Sequence, residues 1–551
     1  MTSGNDAVLS SAGASLLLST ARAAGLGRGL SRTLAPWRRR GAVHDPGKVV
    51  FDLAVAVALG GDCLADLAVV RAQPELFGTV ASDATVSRLL EHLAGDVEAV
   101  IAAIRAARAA ARERVWRRRD PLPAAGPVIV DLDATLVTAH SDKENATPTF
   151  KRGYGFHPLL AFVDHDPATG TGEPLAGMLR AGNAGANTAA DQIAVLDAAL
   201  AQLPEPARSR VLVRGDTGSG VKAFLAHVHQ LGLGYSVGMY GQAPLLEALE
   251  QVPRQAWRDA READGTRRDG AQVAELTRWL PASFTGWPPG IRVIARRERP
   301  HPGAQLRITD HAGWRITMFA TNTKGGRIAD LEVRHRLRAR AEDRIRTLKD
   351  TGLRNLPLHA FAKNQLWLEI ASLAAELLAF TQTLAWHGKP ASRWEPKRLR
   401  LRICFADPVR RRTPGAQWTT RDPPDQPNLA LGDPADQRSP TPRGRHLSNA
   451  PPPLTITTPR SPGEPADPAP ETSPAHHRPE RSQASPTPTT STTPTTDERS
   501  RLRGPWCWFR DTRLGHIFGS LPAAGSAMLS HPPWRRRRRA TCDTRLPLSR
   551  R

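Results

Sequence analysis

Apolar positions in the N-terminal part of the chain recur at intervals of three and four. The runs VVFDLAVAVALGGDCLADLAVV and DATVSRLLEHLAGDVEAVIAAIRAARAAARERVWRRR, from Lys48 onward, put those positions on helix faces, with Asp83 placed to cap TVSRLLEHL. This pattern predicts a helical DNA-binding domain over residues 46–120, preceded by a flexible Gly/Ala/Ser-rich segment (1–45) that carries the basic Trp37–Arg40. A helix-turn-helix between Gly60 and Leu90 is compatible with the spacing, which is not diagnostic. The arginines leaving this module (Arg105, Arg108, Arg112, Arg114, Arg117, Arg118, Arg119) suit either phosphates or a solvated helix face.

Pro121, Pro123 and Gly126 end the helical pattern, and β-strand signals follow. VIVDLDATLVTA, HPLLAFVDH and EPLAGMLRAG read as strands. NTAADQIAVLDAALAQLP reads as a capped amphipathic helix, and RVLVRGD, GVKAFLAHVHQLG and GYSVGM as strand, helix and strand. Three strands, helix, strand, helix, strand is the order of the ribonuclease H-like fold, in which the first and fourth strands are neighbours. Residues 242–325 then interrupt this core. They begin helical in LLEALEQVPRQAWRDAREADG and become strand-like in IRVIARRERP and LRITDHAGWRITMFAT, with a hairpin turn at His311 to Gly313. A helix from near Asp330 to about Asp350 and an apolar helix from Asn364 complete residues 326–390. The expected fold is therefore α/β: a ribonuclease H-like core (126–241 and 326–390), a mostly β insertion, an all-helical N-terminal domain and a disordered Pro-rich tail (391–551).

The tail changes character abruptly. More than half of the chain's 48 prolines follow Cys404, mixed with Ser, Thr and Arg in runs such as SPTPTTSTTPTTDERS. Such a composition cannot bury a core. Two origins are open: out-of-frame translation beginning near Cys404, or a natural basic tail that adds DNA affinity.

A formal net charge of +23 over 551 residues narrows the partners to nucleic acid or an anionic membrane. No apolar run reaches the ~20 residues needed to span a bilayer. The segment AVLSSAGASLLLSTARAA has no Lys or Arg ahead of it, so no signal peptide is expected. The four cysteines (Cys63, Cys404, Cys507, Cys542) show neither metal nor disulfide-framework spacing, so a reduced, cytoplasmic, nucleoid-associated protein is expected.

Asp133 lies within the first strand run, Asp216 follows the fourth, and Glu342 sits in RHRLRARAEDRIRTLKD. Carboxylates at the ends of buried strands are costly unless paired or metal-bound. Asp131 competes with Asp133, because strand alternation puts both on one face. On a continuous helix, His335, Arg338, Glu342 and Lys349 would share one face, a carboxylate among cations. This H-x2-R-x3-E-x6-K spacing resembles the Y-x2-R-x3-E-x6-K signature of DDE transposases of bacterial insertion sequences, with His335 in place of the usual tyrosine. The stretches DLDAT, RGDTGSG and AEDRIRTLKDTGLRNLP resemble the same family over roughly Val128 to Trp386, nearest to its IS-four and IS-thirteen-eighty groups.

The resemblance implies metal ligands and catalytic carboxylates at Asp133, Asp216 and Glu342, Asp133 being preferred to Asp131 because DAT matches the family's D-x-T. It implies phosphate contacts from His335, Arg338 and Lys349. Three carboxylates suit hard Mg²⁺, with Mn²⁺ as substitute, and two ions about 3.5–4 Å apart would serve an in-line displacement. The implied function is strand cleavage and strand transfer on double-stranded DNA at the element's terminal inverted repeats and target, by a homodimer and without membrane involvement. A ribonuclease H-like nuclease and an inactive copy that only binds DNA are the competing readings. Trp287 and Trp314 lie in the insertion, where related enzymes hold a flipped base, although core packing also accounts for them. Asp164, Asp166 and Asp191 read as turn and helix-surface residues.

Overall fold

Strand β1 (Val128–Ala134), with five apolar residues in its run VIVDLDA, lies inside a ten-stranded sheet rather than at its edge. The computed structural model describes residues 13–300, 303–305 and 310–404; the tail expected to be disordered from 391 is helical over Pro396–Leu399, with Ala391 and Leu399 buried, and its part beyond 404 lies outside the described residues. After β1 the chain makes a small three-stranded sheet from β2 (Val137–Thr138), β3 (Thr147–Pro148) and β4 (Tyr154–Phe156). It then returns to the main sheet as β5 (Leu159–Val163), β6 (Glu173–Met178), β7 (Val211–Gly215) and β8 (Gly234–Met239).

The strand order through this part is β6-β5-β1-β7-β8. β1 pairs antiparallel with β5 and parallel with β7, which is in turn parallel to β8. The expected adjacency of the first and fourth main-sheet strands is observed.

Residues 242–325 do not form a separate sheet. β9 (Arg258–Arg261), β10 (Arg267–Glu275), β11 (Arg292–Glu298), the two-residue β12 (Asp310–His311) and β13 (Trp314–Thr321) extend the main sheet, joined to it where Met318 of β13 pairs with Met239 of β8. The hairpin expected at His311 to Gly313 is present, with His311 opposite Trp314. The helix expected through AWRDAREADG is not. It stops at Glu250, Pro253 follows, and Trp257, next to β9, packs its ring under Arg297 of β11.

The N-terminal helices are α1 (Ala14–Ala24), α2 (Leu26–Thr33), α3 (Pro46–Ala58), α4 (Asp83–Ala94) and α5 (Val97–Arg118), with shorter turns between α3 and α4. Asp45 caps α3 by accepting from Gly47 and Lys48. α4 is capped by Ser82, one residue before the expected Asp83. Helices α6 (Ala189–Leu200), α7 (Lys222–Gln230) and α8 (Ala243–Glu250) belong to the sheet region, followed by α9 (Ile328–Arg336), α10 (Arg340–Leu348) and α11 (Phe361–Trp386).

One contiguous core runs from Ala14 to Phe380, so the N-terminal helices share their apolar interior with the sheet region, and α1 and α2, in the segment expected to be flexible, are held by burying Leu17, Leu26 and Leu30 in it. α11 is its axis. By length and composition it would cross a membrane, but 94% of its most apolar window is buried inside the protein. Two glutamates of α11, Glu369 and Glu376, are fully buried against α5: Arg108 binds both, and Arg112 binds Glu376 and, at 2.7 Å, Glu173. Arg108 and Arg112 therefore face neither phosphate nor solvent. They are the ionic seam between the N-terminal helices and the sheet region.

Candidate active site

β1 carries Asp133 next to its end, and Asp216 immediately follows β7. The strands are parallel with Leu132 opposite Gly215, so one further step brings Asp133 and Asp216 side by side. Each carboxylate has one oxygen engaged locally. Asp216 Oδ1 accepts from Gly218 N at 2.9 Å and caps the short turn Thr217–Ser219, while Asp133 Oδ1 accepts from Ala134 N at 2.9 Å. Asp133 Oδ2 faces Arg338 Nη1 at 3.5 Å.

Glu342 is exposed in the first turn of α10, a helix that packs on β1. Burial, then repulsion from Asp216, push the Asp133 carboxyl up to about 7; Arg338 opposes the rise and Glu342 adds to it. Asp133 thus feels both other acids, as a site built to receive positive charge requires.

The expected continuous helix from Asp330 to Asp350 is broken once inside its span and ends where expected. A tight turn at Leu337–Ala339 separates α9 from α10, and the chain leaves helical geometry at Thr351 and Gly352. The predicted common face therefore divides. Arg338 reaches Asp133, and Lys349 Nζ donates to Leu136 O at 2.9 Å, three residues past Asp133. His335 lies elsewhere. Its ring is buried, stacked on Phe319 with centroids 4.4 Å apart, and its Nδ1 bonds to Ser236 Oγ at 3.1 Å. Burial, then the neighbouring Arg338, lower its pKa to about 3, so the ring is neutral in ordinary buffers. The expected phosphate contact of His335 is not presented at the surface, because an imidazole packed flat on Phe319 has its edge turned to Ser236.

A second group of residues escaped the sequence reading. Asp164, expected in a turn, is buried and binds three arginines: Arg214 at 3.0 Å, Arg340 at 2.9 Å, and Arg344. Its backbone N–H continues the β5 ladder by donating to Ile129 O at 3.0 Å. Arg214 in turn holds the fully buried Asp131 with two bonds of 2.7 Å. Arg340 and Arg344 are one turn apart on α10 and flank Glu342, so this buried cluster fixes the helix that carries Glu342. Their spacing of four was readable in the sequence, but their buried partner Asp164 was not.

In the extended part of the sheet, Trp314 lies beneath Arg297 and Arg299, and Trp287 stacks on Phe284. Asn322 bonds to the Tyr235 N–H and the Leu233 carbonyl, which ties it to the fold.

The donor set fits a divalent cation. Asp133 and Asp216 supply adjacent hard oxygens, and the Asp133 carboxyl, raised first by burial and then by Asp216, is one that a bound cation would help to ionise. The carboxylate oxygens of the three acids are not drawn together. Among the described residues, the one trio with ligand atoms all within 4.8 Å is Asp62, Cys63 and Asp66. That trio is a backbone cap: Asp66 Oδ2 accepts from the N–H groups of Asp62 and Cys63 and from the Cys63 thiol.

Because burial, more than its neighbours, raises the Asp133 carboxyl, the sign of a pH effect follows. Its folded-state value lies above the ordinary 3.8, so the stability it contributes is complete below about 3.8 and is lost as pH rises to about 7. A cation bound to the ionised form offsets that loss. Mg²⁺ is therefore expected to raise the melting temperature more at pH 8 than at pH 6, a difference that Asp133→Asn removes. An Mg²⁺ response independent of pH in both proteins would contradict this assignment.

Residues 2–406 match the family described as transposase DDE domain, group 1, and the match ends where the Pro-rich composition begins. No curated protein matches the chain. Among solved structures, it is similar to piggyBac transposase in a synaptic complex with hairpin DNA, at 9% identity, covering 66% of this chain and 74% of that one, with a TM-score of 0.36. A likeness that low carries no functional weight. The family match spans most of the 551 residues and includes Asp133, Asp216 and Glu342, and on that ground the chain belongs to the DDE-domain transposases.

Proposed function

We propose that this chain is a cut-and-paste DNA transposase of the bacterial insertion-sequence type, nearest to the IS-four and IS-thirteen-eighty groups. It binds the terminal inverted repeats of its element, cleaves there and joins the freed ends to target DNA. It acts as a homodimer on paired ends, in the cytoplasm at the nucleoid. The observation that carries this reading is the meeting of Asp133 and Asp216 at the ends of adjacent parallel strands, beneath the helix that bears Glu342. The order β6-β5-β1-β7-β8 supports a ribonuclease H-like core.

Asp133, Asp216 and Glu342 would hold Mg²⁺, or Mn²⁺ in its place, and the bound metal supplies the positive charge that phosphoryl transfer needs. The chain's own residues orient the DNA. Arg338, beside Asp133, is placed to hold the phosphate undergoing attack, and its planar guanidinium suits bidentate contact. Lys349 lies beyond the end of β1 and contacts a flanking phosphate. His335, buried against Phe319, is a packing residue in this reading rather than a phosphate contact.

The test is binding to DNA from both flanks of the gene against shuffled DNA of equal length, over a range of salt. Preference for the flanks is expected, and Lys349→Ala is expected to weaken binding and reduce the salt slope by about one unit. An unchanged slope removes Lys349 from the phosphate contacts. No preference for the flanks favours a nuclease or a decayed copy.

A further inference from the structure

The hairpin formed by β3 and β4 follows β1 and β2, and its base lies near Asp133, since Thr135 N donates to Pro158 O at 3.1 Å. Its turn holds Phe150, Lys151 and Arg152 in succession, all exposed, with Phe150 at 68%. Lys151 Nζ lies 5.7 Å from the Phe150 ring centre. One face of that ring meets His157 at 5.6 Å between centroids, tilted by 60°. His157 is buried and bonded to the Ala184 carbonyl at 2.9 Å, and it senses the charges of both Asp216 and Lys151. His157 thus touches the Phe150 ring and feels the Asp216 charge.

The tip is built firmly. Thr149 N donates to Gly153 O at 2.8 Å, Arg152 N to Thr149 O at 3.0 Å, and Ala139 N to Tyr154 O at 2.9 Å. Thr147 and Asn183 bond to each other at the hairpin base. Gly155 is required where the hairpin crosses β2, since a Cβ there would stand 2.1 Å from Val137 O. Arg152, by contrast, adopts φ +60°, a left-handed conformation in which the Cβ of an L-residue crowds the backbone. Fold alone would favour glycine or asparagine at this position. A strained arginine at an exposed turn is explained by what its charge meets.

A single exposed aromatic needs no function by itself. Here it stands next to two cations, on a rigid hairpin whose base lies near a site proposed to act on DNA. The nearby acids are already engaged: Asp142 accepts from the Tyr154 hydroxyl and Glu144 from the Phe361 N–H. We propose that this tip grips an unpaired DNA strand next to the cut, with a base stacked on Phe150 and flanking phosphates on Lys151 and Arg152. The inference rests on the transposase reading and adds a contact to it. A polyanion complements the cations, and an aromatic face between phosphate-binding groups is the arrangement that holds single strands.

The test uses the full chain with a labelled oligothymidylate and with the duplex of the same length. Phe150→Ala is expected to weaken single-strand binding by on the order of tenfold and duplex binding far less, and Phe150→Trp to restore it. Arg152→Gly is expected to leave the melting temperature equal to or above that of wild type while lowering single-strand affinity. An iodouracil-containing strand is expected to photocrosslink to the peptide that carries Phe150. Single-strand affinity unchanged in Phe150→Ala, with crosslinks only elsewhere, overturns the proposal and leaves the transposase reading intact. Wild-type protein that binds neither DNA overturns both.

Discussion

Asp216→Ala is expected to lower DNA cleavage by roughly three orders of magnitude or more while leaving DNA affinity within about twofold, the scale on which phosphoryl-transfer sites respond to losing one charged group. Asp216 sits after β7 with one oxygen committed to the Gly218 N–H and the other free to take up a cation next to Asp133. Removing it leaves Asp133 without its partner, and no other acid lies on the same strand ends. The cap on the short turn is lost as well, at about 1 kcal/mol, which is too little to unfold the chain. The proposed phosphate contacts, Arg338 and Lys349, form no bond to Asp216, so cutting and binding should separate. Cleavage and gel-shift assays on one preparation measure both. An equal loss of the two would make Asp216 a structural residue.

Glu376→Ala is expected to destabilise the chain by about 3–5 kcal/mol, because it leaves Arg108 and Arg112 charged, fully buried and short of a partner. The effect should appear as a lower denaturant midpoint for the whole protein, since α5 and α11 belong to one core. Exchanging Arg108, Arg112, Glu369 and Glu376 together for apolar residues should cost far less. The same seam predicts acid sensitivity. Burial alone would raise the Glu173 carboxyl, but His165, Arg112 and Trp116 outweigh it and hold the group at about 2. Its folded-state value lies below the ordinary 4.5, so its stabilisation is complete above that pH and lost as pH falls toward about 2. A Glu376→Ala midpoint within experimental error of wild type would mean that the buried charges are compensated elsewhere.

The sequence was most informative where local pattern and long-range structure agree. β1, β5, β6, β7 and β8 lie where apolar runs placed them, because each is short, buried and bounded by turn residues. The pairing of β1 with β7 followed from element order and brought Asp133 and Asp216 together. Periodicity assumes an unbroken helix, and it misled at α9 and α10. The turn at Leu337–Ala339 changes the phase and sends His335 into the core while Arg338 stays at the site. The arginines of α5 could not be read correctly from one helix, since Arg108 and Arg112 are neutralised by residues more than 60 positions away. Asp164 failed for the same reason: its partners Arg214, Arg340 and Arg344 come from distant segments. Strand propensity lost to a helical reading at Arg258–Arg261, where pairing with β10 and the cover of Trp257 decide the structure.

The central claim is that Asp133, Asp216 and Glu342 form a metal-dependent DNA-cutting site. The most direct test is cleavage of DNA from the gene's own flanks by the full chain and by a version ending at Cys404, with Mg²⁺ and with EDTA. Cuts at a repeat boundary that need Mg²⁺ and vanish in Asp133→Asn, Asp216→Ala and Glu342→Gln are the predicted result. Tight binding to the same DNA with no cut by either protein in Mg²⁺ or Mn²⁺ would contradict it.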